Sequence, residues 1–137
     1  MAYVTAEHIR FFLMDRMANE NFLLEDIEFT DEDISNAIVL TVDRYNSTTP
    51  LVNTYSSTDF PYRYEMLLGA SAMLLRAKAI NMMRNNLDYS TADGVAINDL
   101  DKRKEYFSVA QAFDAEFIDR ITKIKVSRNA EECYGYI

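Results

Sequence analysis

Only three glycines and two prolines interrupt the 137 residues of this chain, and that scarcity constrains its fold more than any motif does. A sandwich or barrel of short strands must turn about every ten residues and draws on both residue types to do so. Long stretches free of breakers read as helices instead. The expected fold class is all-α: a bundle of about four helices with a long loop and an extended C-terminal tail. Nine tyrosines and eight phenylalanines give large apolar area per side chain, enough to bury a core. A chain of this length makes one ordinary domain, expected over residues 1–128, with residues 129–137 as the tail.

Periodicity places the helices. Thr5 can cap a first one over 5–17, with Ile9, Phe12, Leu13, Arg16 and Met17 on one face. Residues 22–29 alternate loosely and read as loop or a short extended piece. Thr30 opens a second helix over 31–45. Its hydroxyl can reach the Asp33 amide, and Asp31, Glu32 and Asp33 occupy the first turn, where the helix dipole favours negative charge. Ile34, Ala37, Ile38, Thr41, Val42 and Tyr45 form its apolar stripe. Residues 46–59 are a polar loop of a length that in compact domains either works or moves.

Pro61 suits the first turn of a third helix over 61–84. Its middle, 66–75, is apolar on nearly all sides, so this helix needs cover all round. Gly69, Ala70, Ser71 and Ala72 are small enough to let another helix come close. The cover is either the chain's own core or a neighbouring chain. Residues 85–97 form a second long connection, turning at Asp93-Gly94, with Val95, Ala96 and Ile97 briefly extended. Asn98 caps a fourth helix over 99–126, with Phe107, Ala110, Phe113, Phe117, Ile121 and Ile124 on one face.

Chemistry has no candidate residues. His8, the single histidine, sits in a helix with neither a nucleophile nor an orienting acid marked beside it. The acids at Asp31, Glu32 and Asp33 lack the alternation and the glycine of a calcium loop. Cys133 stands alone, which excludes an internal disulfide or a multi-cysteine zinc site. Its two glutamate neighbours raise a thiol pKa. No glycine-rich phosphate loop exists. No enzyme activity, cofactor or metal is expected.

A net charge of −8 opposes non-specific nucleic-acid binding and docking on anionic membranes. Half of the acids, but only Arg10, Arg16 and Arg44 among the basic residues, precede residue 60. That asymmetry can orient a partner or a neighbouring copy, or can simply be a solvated face. The apolar run at 66–75 is half the roughly twenty residues of a membrane span. The first residues lack the basic start and apolar run of a signal peptide, so folding in the cytoplasm is expected.

Binding to other protein chains is what remains. The candidate contact residues are Tyr55 in the polar loop, Phe60 and Tyr62 at the entry to the third helix, and Gly69 and Ala72 on its small-residue face. Tyr134, Tyr136 and Ile137 complete the set, because so aromatic a tail is costly to leave in water. It either enters a neighbour or folds back on its own bundle.

Three features together resemble a known family: the acidic capped helix opening at Thr30, the Asp59-Phe60-Pro61-Tyr62 entry to an apolar helix, and the long helix from Asp99 with its short tail. They are similar to the small helical head-to-tail connector (adaptor) proteins of tailed bacteriophages, over residues 25–137 and in architecture rather than in any motif. The resemblance implies a structural virion protein of the phage neck, assembled in the host cytoplasm. It further implies a homo-oligomeric ring of about twelve copies, with portal protein on one side and a tail or tail-terminator protein on the other. Two alternatives are another tail-completion or capsid-associated protein, and a cytoplasmic helical dimer that binds partners. Copy number separates them.

Overall fold

Local capping sets the two N-terminal helices. The computed structural model describes residues 4–15, 29–51, 53–84, 89–90, 96–97 and 99–134, and its first helix, α1, is Ala6–Leu13. His8 Nδ1 lies 3.0 Å from the Thr5 amide, closing the first turn. At the other end Met14 takes a left-handed φ of 55°, and the Met14 and Asp15 amides donate back to the Phe11 and Arg10 carbonyls. The helix therefore stops short of the expected residue 17.

The reason lies across the fold. The Asp15 carboxylate accepts from the buried Arg10 guanidinium (3.2 Å) and from the Phe29 amide (2.9 Å), while Arg10 also reaches Asp31 (2.8 Å). One more helical turn would carry Asp15 away from these partners. The arrangement ties the end of α1 to the start of the next helix. Arg16 and Met17 lie outside the described residues, as does all of 22–29 except the buried Phe29.

Helix α2, Asp31–Ser47, starts as the sequence predicts. The Asp33 amide donates to Thr30 Oγ1 at 3.1 Å, and the Thr30 amide returns the bond to the Asp33 carboxylate at 3.2 Å. All six residues of its apolar stripe are buried.

Helix α3, Arg63–Arg84, begins two residues later than Pro61. It is the central element, packed by α4 along one side, by α2 along another and by α1. Its need for cover is thus largely met within the chain: residues 66–75 are buried except the half-buried Leu67 and Met73, and Ala79 is buried again. Gly69 shows how tightly. A Cβ there would lie 2.5 Å from Thr41 Cγ2 on α2 and 3.0 Å from the Phe117 ring on α4. Only a glycine lets both helices close on this point.

Helix α4, Asp99–Tyr134, runs 36 residues, about 54 Å at about 1.5 Å per residue. It passes the expected end at 126, so residues 129–134 are helical rather than an extended tail. The sequence explains this in hindsight: after Asp99 the first glycine or proline is Gly135, one residue beyond the helix. Residues 135–137 lie outside the described residues.

Before α4, β1 (Tyr89–Ser90) pairs antiparallel with β2 (Ala96–Ile97) in a two-residue ladder. The extended reading of Ala96 and Ile97 holds, and the Asp93-Gly94 turn lies outside the described residues. The fold is an all-α helical bundle, with one continuous core built from all four helices and from Val4, Phe29 and Phe60 outside them.

Candidate functional site

The polar loop after α2 is held by its own chain. The Asn46 side chain donates to the Tyr55 carbonyl at 2.8 Å and accepts from the Tyr55 amide at 3.0 Å, as a strand neighbour would. Tyr45 Oη donates to Asn53 Oδ1 at 3.1 Å, and Asn53 passes the chain on to Tyr55 Oη at 2.9 Å. A turn at 56–59 is closed by Asp59, whose carboxylate accepts from the Ser56 hydroxyl at 3.0 Å.

These bonds gather Tyr45, Tyr55, Phe60 and Tyr62 into one cluster, with ring centroids 5.1–6.1 Å apart and mostly edge-to-face. Three expected contact residues thus meet at one end of the bundle, but largely through one another. Phe60 is fully enclosed. Tyr62 keeps an outer edge on an open groove of about 490 Å³, shared with Lys123, Ile124, Ser127, Arg128 and Glu131 of α4.

Lys125 locks this junction, and sequence reasoning missed it. Its side chain is buried, with Nζ 4.3 Å from the centroid of the Tyr45 ring. The ammonium donates to the Tyr45 carbonyl and, at 2.5 Å, to the Thr48 carbonyl. Those carbonyls belong to the end of α2, where helical groups lack partners and the dipole favours a cation. Burial pushes the Lys125 pKa down and raises those of Tyr45 and Tyr62. Arg128 stacks 5.7 Å from the Tyr62 ring. A signal was available: Lys125 follows Phe117 and Ile121 at steps of four, on the face of α4 that packs inward. The cluster works as a clasp between α2, the loop and α4.

Gly69 and Ala72 are buried further along α3, facing this chain's own helices rather than an open surface. A bidentate pair from Arg44 to Asp114, with one contact at 3.1 Å, spans from α2 to α4 over that region. Tyr134 is the last residue of α4; Tyr136 and Ile137 lie outside the described residues. The six expected residues among the described ones therefore fall in three separate places. His8 serves α1 capping and lies 3.2 Å from the Arg63 guanidinium through Nε2.

What the surface offers is charge and apolar side chains, sorted by helix. The exposed charges of α2 are all acidic (Asp31, Glu32, Asp33, Asp43), and those of α3 all basic (Arg63, Arg76, Arg84). Among the described residues no three His, Cys, Asp or Glu side chains group as metal ligands. No described helix is long and apolar enough to cross a membrane. The chain is thus of the all-α helical-bundle class. No protein-family model, curated protein or solved structure matches it.

Proposed function

We propose that this chain is a structural assembly protein rather than an enzyme, and that the assembly is the neck of a tailed bacteriophage. In this reading it forms an adaptor ring, with portal protein on one side and a tail or tail-terminator protein on the other. The observation that carries the assembly role is the end of α4. Phe117, Ile121 and Lys125 are buried, yet every residue from 126 to 131 is exposed, on all sides of the helix. A helical segment with so little tertiary packing, Arg128 against Tyr62 apart, is marginal in water, and in sequence it leads to Tyr134, Tyr136 and Ile137. An aromatic segment that follows an exposed helical end in the sequence is suited to entering a neighbouring chain. The neck assignment rests on the resemblance of the capped acidic helix, the apolar central helix and the long last helix to the connector family.

Counting copies tests it. Mass measurement on purified particles should find this chain in a ring of about twelve copies. Absence from the particles, together with a stable dimer of the purified chain, would move the assignment to a helical partner-binding protein.

A further inference from the structure

The sorting of charge by helix pairs one face of this chain with another. Along the outer side of α2, Glu32, Val39 and Asp43 fall on one line at helical spacing, with Val39 46% exposed. Along the second half of α3, Arg76, Ile80, Met83 and Arg84 do the same, with Ile80 41% and Met83 51% exposed. Each stripe is an apolar centre bracketed by charges of a single sign, and the two signs are opposite. Glu32, Asp43, Arg76 and Arg84 have no ion-pair partner among the described residues.

The stripes cannot meet within one molecule. The helices already pack on each other through other faces, Thr41 of α2 closing on Gly69 of α3, and both stripes point outward. Their lengths match: about 16 Å between Glu32 and Asp43 and about 12 Å between Arg76 and Arg84, at about 1.5 Å per residue. The reach of the arginines covers the difference. Because both ends of a stripe carry the same sign, the match holds for either helix direction.

We infer that the Glu32–Val39–Asp43 stripe docks on the Arg76–Ile80–Met83–Arg84 stripe of a second copy of this chain. The contact joins two different patches, so each copy offers one of each, and repetition builds a ring or a filament. Opposite charges steer the copies together and set the register, while the apolar centres are desolvated between them. The inference concerns contact between copies and stands apart from the neck assignment.

Sedimentation of the purified full chain tests it through two double variants, Glu32→Lys with Asp43→Lys, and Arg76→Glu with Arg84→Glu. All four positions are exposed, and circular dichroism checks that the variants stay helical. The parent should self-associate, and added salt should weaken it. Each variant alone should associate at least about tenfold more weakly, since like charges then face each other. Mixed in equal amounts the two should reassociate, because the reversed α2 stripe of one meets the reversed α3 stripe of the other. A monomeric parent, association indifferent to salt, or a mixture that stays dissociated would overturn the inference. Should one variant fail to fold, the other still tests its own stripe, and salt-indifferent association of the parent still overturns the inference. Self-association by a chain absent from particles would sink the neck assignment alone.

Discussion

Helix α4 has two stretches with the same backbone and different physics. From Ala110 to Lys125 its inward side chains are sealed against α3, the loop and the end of α2: Ala110, Phe117, Ile121 and Lys125 are all buried. From 126 to 131 every residue is exposed, Val126 by 53%, and the contact across to the rest of the fold is Arg128 against the outer edge of Tyr62. The first stretch is helical because the fold needs its face. The second continues because propagation adds one hydrogen bond per residue and no breaker intervenes before Gly135. Helical structure alone is thus no sign of packing, and the two stretches must answer differently to mutation.

The largest expected effect falls in the packed stretch. Phe117→Ala removes the ring wedged against Gly69 and should cost about 3–5 kcal/mol in urea unfolding. A loss below about 1 kcal/mol would mean that the α3–α4 contact is not the centre of the core. The reverse change across the same contact, Gly69→Leu, overfills it at about 1–3 kcal/mol. The Cβ alone already meets Thr41 at 2.5 Å, and a variant that melts like the parent would disprove this close approach. Lys125→Met keeps much of the buried stem but leaves the Tyr45 and Thr48 carbonyls without their donor. The expected cost is about 1–2 kcal/mol, with faster amide exchange at the end of α2.

Smallest is the projecting stretch. Deleting residues 130–137 should change unfolding by less than about 0.5 kcal/mol, because its described side chains, Ala130 and Glu131, are exposed. On the assembly reading, the same truncation abolishes attachment to portal or to neighbouring copies. A clear loss of stability instead would show the tail folding back on its own bundle. Normal assembly of the truncated protein would remove the tail from the interface.

How far the residues could be read in advance follows the range of the forces involved. Thr30 and Asp33 cap each other within four positions, so that start was legible. The six-residue stripe of α2 reports burial without needing to say against what. The end of α1 was not legible, since it is set by Asp15 bonding to Phe29, fourteen residues on. Tyr55, Phe60 and Tyr62 could be picked out as large rings in a polar setting. That they meet Tyr45 and Lys125 depends on contacts up to eighty residues apart.

The sequence by itself determined the all-α class, the starts of α2 and α4 and the need for close packing at Gly69, because breakers, caps and periodicity act over one or two turns. Tertiary structure alone decided that α2 and α4 of the same chain cover α3, and that a buried lysine closes α2. It alone decided that the outward faces of α2 and α3 are left with opposite charge. Those outcomes depend on which surfaces meet across the bundle, and pairing at that distance has no local signature.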